Sequence, residues 1–208
     1  MGLRSRLLEI PLVYEVFTNG LARPGGNRWL VNDVMEITPG MKVLDVGCGT
    51  ARILSALPDV EYLGIDHNPK YVQSARARFA SRGRFEVLDV NDPSFGDFGT
   101  FDRVLLIGVL HHLDDGEVRD LLKSLSSCVG MDGCLITFDC ALTKGQHPVA
   151  RFLAKADRGR FSRSPHDYRR LIESQFDVQN EIIRHDLIRI PYTHIVFKAR
   201  PKGSLATN

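Results

Sequence analysis

Three aspartates, Asp45, Asp66 and Asp89, each follow a short apolar run. The first leads directly into a glycine turn, Val43-Leu44-Asp45-Val46-Gly47-Cys48-Gly49-Thr50. Such a run reads as a buried strand ending where a ligand can approach. Glycines at 47 and 49 remove the side chains that would hold a ligand off the backbone. Tyr62-Leu63-Gly64-Ile65-Asp66 and Phe85-Glu86-Val87-Leu88-Asp89-Val90 repeat the pattern as second and third strands. A helix expected over 51–57 would aim its first N–H groups at the same ligand. Carboxylates at three strand ends accept hydrogen bonds from hydroxyls and amines and attract positive charge. The chemistry that fits is the binding of a nucleoside-type cofactor.

Spacing narrows the choice. A dinucleotide fingerprint carries a third glycine where this chain has Arg52, and Asp45 would repel a pyrophosphate. Asp66 follows Asp45 by 21 residues, a separation that suits a carboxylate on a ribose diol. A ribose, an exocyclic amine and a positive charge together describe S-adenosyl-L-methionine, whose sulfonium a dinucleotide lacks.

These residues resemble a class I S-adenosylmethionine-dependent methyltransferase of the small-molecule type. The resemblance rests on the Asp45-Val-Gly-Cys-Gly-Thr loop, Gly64-Ile-Asp66, Leu88-Asp89-Val90, Phe101-Asp102 through Gly108 to His111-His112-Leu-Asp-Asp115, and Gly130 to Asp139. It covers roughly 40–200; Ala51 stands where many members carry a third glycine. It implies an α/β fold, a doubly wound Rossmann-like seven-stranded sheet with helices on both faces and an antiparallel C-terminal hairpin. It implies that Asp45, Gly47, Cys48 and Gly49 form the cofactor loop near the methionine end. Asp66 accepts from both ribose hydroxyls with His67 beside it, Asp89 accepts from the adenine amine, Val90 walls the base, and Ile107 with Gly108 lines the methionine side. The product would be S-adenosyl-L-homocysteine. His111 or His112 is the candidate general base for a hydroxyl acceptor, or else packs at the mouth of the site. Tyr14 and Trp29 either close over the cofactor or belong to the core.

The positioning elements alternate strand and helix, as a parallel sheet covered on both faces requires. One methyltransferase domain over 1–208 is expected: an N-terminal helical cover (1–38), a cofactor-binding core (39–140), a substrate lid (141–175) and the hairpin (176–200). Expected helices run over 3–19, 27–35, 68–81, from His111 to near Cys128, and 165–175. Strand four is expected at 102–107, strand five at 134–139 after a Gly130–Gly133 turn, and the last strands at 176–184 and 192–199. The lid shows no long apolar periodicity.

That lid is basic. Residues 144–170 hold eight cations against two aspartates, in a chain of formal net charge +2. Charge runs are usually solvated; the sharper expectation is that Arg158, Arg160 and Arg163 clamp an anionic substrate through bidentate hydrogen bonds. The alternatives are an RNA methyltransferase using 144–170 as a phosphate track and a non-catalytic cofactor-binding partner subunit. Nucleic acid is disfavoured: no Asn-Pro-Pro-Tyr-type segment follows strand four, no Pro-Cys nucleophile is present, and few aromatics interleave with the arginines. At 208 residues with 43% hydrophobic content the chain can bury a sizeable core. No apolar run approaches a membrane span and no signal peptide is read. Four cysteines without C-x-x-C spacing point to reduced thiols, no metal and a cytoplasmic setting.

Overall fold

The computed structural model describes residues 26–90, 92, 98–156 and 160–203. The helix expected over 3–19, with Tyr14, lies outside these residues, as does Arg158. Seven strands form one sheet: β1 (Lys42–Val46), β2 (Glu61–Asp66), β3 (Arg84–Val87), β4 (Phe101–Ile107), β5 (Val129–Cys140), β6 (Phe176–Arg184) and β7 (His194–Pro201). Their order is β3-β2-β1-β4-β5-β7-β6. The first five run parallel, while β7 pairs antiparallel with both β5 and β6. The chain winds outward from β1 to β3, then crosses back to place β4 on the other side of β1. The carboxyl ends of β1 and β4 therefore flank the crevice where open α/β sheets bind ligands.

Strand alternation sends side chains to two cores. Leu44, Val104, Leu106 and Leu135 pack with α3 (Asp115–Ser126) and α5 (Pro165–Ile172). Val43, Leu105 and Ile136 pack with the opening helical stretch and α2 (Pro69–Phe79) on the opposite face. Leu122 and Leu125 of α3 are fully buried, each worth about 1.5–3 kcal/mol relative to exposure. α2 begins where expected: the Asn68 side chain accepts from Lys70 N–H at 3.0 Å and Pro69 occupies the first turn.

Several elements differ from expectation for local reasons. The helix expected over 51–57 is a single 3₁₀ turn, Arg52–Ser55, because Ala51 takes a left-handed conformation at φ +54°. The stretch expected over 27–35 is a short α1 (Gly26–Trp29) that widens into a π-helical turn, Leu30–Met35, stopped by left-handed Glu36. The helix expected from His111 is broken. Leu110–His112 is a 3₁₀ turn, Leu113 is extended, and α3 starts afresh behind Asp114. Asp114 accepts from Glu117 N–H and Glu117 answers Asp114 N–H, a reciprocal box that fixes a new N-terminus. Strand β5 starts at Val129 rather than after Gly133, and its pairing with β4 slips between Phe101 and Arg103. A Cβ on Gly133 would come within 2.7 Å of the Phe101 carbonyl, so the glycine permits that bulge. The lid contains a helix the periodicity did not show, α4 (Pro148–Ala156).

Candidate active site

The glycine loop leaves β1 and folds back onto β2. Gly47 lies at φ +73°, and a Cβ there would meet Val109 Cγ2 at 2.6 Å. The loop's N–H groups are turned inward: Gly47 and Cys48 both donate to the Ile65 carbonyl, at 2.8 and 3.0 Å, and Ala51 donates to Cys48 O. Gly49 N–H donates to Asp66 Oδ2 at 2.8 Å. The loop offers a bare glycine surface, with these four donors spent within the protein. A pyrophosphate needs such donors; a cation does not. The Cys48 thiol is turned toward the sheet, where a Cβ on Gly64 would meet its sulfur at 2.9 Å. Burial and the nearby Asp45 and Asp66 push its ionisation up, so it is not a nucleophile.

Two carboxylates stand behind and beside this surface. Asp66 closes β2, accepting from Gly49 with one oxygen and from Asn68 N–H with the other, at 2.8 Å. Each carboxylate oxygen has a second lone pair, so a diol can be accepted without dismantling these bonds. His67 beside it is exposed, its Nδ1 3.7 Å from Asp66 Oδ1. Asp45 is more deeply set than expected, only 2% exposed. Tyr62 donates its hydroxyl to Asp45 Oδ2 at 2.5 Å, while Oδ1 is buried with no partner. Burial pushes the Asp45 carboxyl up to about 7, aided by the charge of Asp66, with the Tyr62 bond opposing. Asp89 is exposed just beyond β3, and half-buried Val90 packs against the core. Leu88 N–H donates to Asp66 O at 3.2 Å, tying this end of β3 to the second carboxylate.

At β4 the chain turns at Gly108, φ +71°, whose N–H donates to Phe138 O at 2.7 Å. Ile107, half-buried, precedes this turn, and Val109 lies over Gly47. His111 follows, buried, with Nδ1 2.7 Å from Asp139 Oδ1. Its backbone N–H donates to the same oxygen at 3.2 Å. Asp139 is 2% exposed and its other oxygen has no partner. Burial raises this carboxyl, while the bonds to His111 pull it back. His112 is exposed, its ring centroid 4.1 Å from that of His111. Across β5, His194 is stacked on Phe138 at 4.8 Å. Burial and the neighbouring His111 and His185 hold it down at about 4, so it is neutral.

Sequence reasoning missed Asp139, which lies 28 positions from His111 and meets it only because β4 and β5 are neighbours. The setting of His194 likewise depends on the fold, which brings Phe138 and Tyr192 against it. The lid arginines do not assemble as expected. Arg160 is exposed. Arg163 is 8% exposed and directs its guanidinium contacts inside the protein. They go to the carbonyls of Leu110, Phe161 and Leu113 at 2.7, 3.1 and 2.7 Å, and to Asp115 at 2.9 and 2.8 Å. It staples the His111 segment in place through four hydrogen bonds, so its guanidinium is committed within the protein rather than held out as a substrate clamp. Among the described residues no group of three His, Cys, Asp or Glu side chains could hold a metal, and no helix is long and apolar enough to cross a membrane.

Residues 44–135 match the family model described as a methyltransferase domain. The chain is 35% identical over 116 residues to Probable tRNA methyltransferase 9B of Bos taurus, covering 55% of this chain and 25% of that protein. It is 28% identical over 162 residues to Ubiquinone biosynthesis O-methyltransferase of Thiobacillus denitrificans, covering 65% and 67% respectively. It thus spans about a quarter of the tRNA relative. In fold it superposes on the N-methyltransferase NodS of Bradyrhizobium japonicum, solved with S-adenosyl-L-homocysteine. The TM-score is 0.66 at 13% identity, covering 85% of each chain. A bare glycine surface backed by carboxylates suits a positively charged nucleoside. Residues 44–135 thus carry a match to a methyltransferase domain, set on the fold of a solved N-methyltransferase.

Proposed function

We propose that the chain transfers the methyl group of S-adenosylmethionine to a hydroxyl of a small metabolite, with His111 as general base and Asp139 orienting it. In this reading residues 39–140 form the cofactor core, and 141–175 with the hairpin build the acceptor side. The observation that carries it is the 2.7 Å His111 Nδ1–Asp139 Oδ1 pair, buried at the adjoining ends of β4 and β5. Asp139 accepts the Nδ1 proton, which leaves the lone pair on Nε2. A hydroxyl held in line with the cofactor loses its proton to Nε2 as its oxygen forms the bond to the methyl carbon. The cofactor supplies an electrophilic methyl on positive sulfur, and the broken bond leaves a neutral thioether. Alignment of acceptor and methyl supplies up to roughly 7–11 kcal/mol of the barrier reduction, and base catalysis a further ~10²–10⁴-fold. Asp66, with Asp89 and the glycine loop, binds and orients the nucleoside.

The test is methyl transfer from labelled cofactor to a panel of hydroxyl-bearing metabolites. Asp139→Asn and His111→Ala should lower kcat by ~10²-fold or more while S-adenosylhomocysteine binding stays intact. Transfer within threefold of wild type in both variants removes the base from the mechanism. A second reading, RNA as acceptor, is favoured by the tRNA methyltransferase relatives. Exposed Lys144, Arg151, Lys155 and Arg160, which have no acidic partner among the described residues, also favour it. Labelling of bulk tRNA with none of the small acceptors would establish that reading instead.

A further inference from the structure

We infer that the cleft between the loop after β5, α4 and α5 binds a dianionic phosphate group carried by the methyl acceptor. This rests on the small-acceptor reading above.

The cleft encloses about 660 Å³ and is lined by Lys144, Arg151, Arg163 and Arg170 with Asp115 and Asp167. Its charges are not balanced within the protein. Arg163 makes four hydrogen bonds, to three carbonyls and Asp115. Asp115 already meets that guanidinium at 2.8 Å, with Arg170 and Arg119 further out at 3.8 and 3.9 Å. Asp167 accepts the Ser164 hydroxyl at 2.6 Å. Lys144 and Arg151 remain without an acidic partner among the described residues, and Arg170 holds its carboxylate only at long range. These three cations come from three separate segments and face one cavity.

Four cations against two carboxylates leave an excess of two positive charges. A phosphate monoester, with a charge of −1.5 to −2 at pH 7 and three acceptor oxygens, matches that excess. A single carboxylate leaves one charge over. The guanidinium groups supply forked donors and the lysine a point charge. The position suits an acceptor's distal group. The cleft's wall, Arg163, grips the carbonyls of Leu110 and Leu113 on either side of the histidine pair. The cleft and the candidate base thus share one short, stapled segment. A substrate anchored here spends its binding energy remote from the reacting oxygen, where it serves alignment.

The experiment titrates the chain, in the presence of S-adenosylhomocysteine, with phenyl phosphate and with dimethyl phosphate at pH 5 and pH 7.5. Wild type and the double variant Lys144→Ala/Arg151→Ala are compared. The expected result is phenyl phosphate binding that tightens several-fold from pH 5 to pH 7.5, as the monoester gains its second charge. Dimethyl phosphate should bind at least tenfold more weakly. The double variant should lose tenfold or more in phenyl phosphate affinity while still binding S-adenosylhomocysteine, which shows that it folds. Equal affinity in wild type and variant, or equal affinity for monoester and diester, overturns the inference. So does tRNA binding with a steep salt dependence and no monoester binding. Turnover is not read, so the two proposals separate. Monoester binding without hydroxyl methylation removes the base mechanism alone. Methylation of phosphate-free hydroxyl acceptors without monoester binding removes the phosphate site alone.

Discussion

Replacing Asp45 with asparagine isolates the energetic cost of the buried acid behind the glycine loop. Asp45 is 2% exposed and held up to about 7 from an ordinary 3.8. The folded state therefore keeps the proton more tightly than the unfolded chain does. The contribution is fully present below about 3.8 and is lost as pH rises through about 7. Over the whole window this amounts to about 4 kcal/mol, of which roughly 2–3 kcal/mol falls between pH 5 and pH 8. Asparagine cannot titrate, yet its oxygen can still accept from Tyr62. Asp45→Asn unfolding should thus lack this decline, and the stability difference between variant and wild type should move toward the variant by roughly 2–3 kcal/mol from pH 5 to pH 8. Denaturant unfolding of both proteins without cofactor at the two pH values measures it. Any fixed cost of the asparagine amide cancels in that comparison. A difference that stays constant to within 0.5 kcal/mol, well below the linkage expected from Asp45, would falsify the reasoning. The same variant should bind S-adenosylmethionine, whose sulfonium benefits from the ionised acid, relatively more weakly than S-adenosylhomocysteine.

Arg163→Lys should destabilise the chain by about 3 kcal/mol or more, since a lysine cannot replace the forked bonds to Leu110, Leu113, Phe161 and Asp115. Thermal unfolding measures it, and a Tm unchanged from wild type would remove the staple. Gly47→Ala places a Cβ 2.6 Å from Val109 Cγ2 at φ +73°. Calorimetry should show adenosyl-ligand binding lost or weakened at least tenfold, with stability lower by ~1–3 kcal/mol. Asp66→Asn turns one acceptor into a donor facing Gly49 or Asn68 N–H. It should cost ~1–3 kcal/mol of stability and weaken S-adenosylhomocysteine tenfold or more; binding equal to wild type would remove Asp66 from the site.

The strand ends and the glycine turn were legible because they are local: each apolar run and its terminal acid, and in the first run the following glycines, lie within ten residues. The sheet's antiparallel ending followed from the family resemblance. What the sequence concealed depends on partners brought together by the fold. Asp139 meets His111 only across paired strands, and Arg163 looks like one of a run of solvated cations until its carbonyls are seen. Two misreadings had local signals. Asp114-x-x-Glu117 is a capping box and placed a helix start after the histidines, not at them. Ala51 stands in place of a third glycine, and its left-handed conformation helps reduce the next helix to one turn.

The order of the sheet has a consequence for how the chain assembles on the ribosome. Strand β7, at His194–Pro201, is inserted between β5 and β6, so its synthesis must be nearly finished before that half of the sheet can close. Until then β5 presents an open edge of unpaired amide and carbonyl groups. The nascent segment through Cys140 contains all five parallel strands, together with Asp45, Asp66, His111 and Asp139, and can build its sheet first. Chains cut short before residue 194 would therefore collapse around the nucleoside half while keeping an adhesive border, the state from which co-translational misassembly arises.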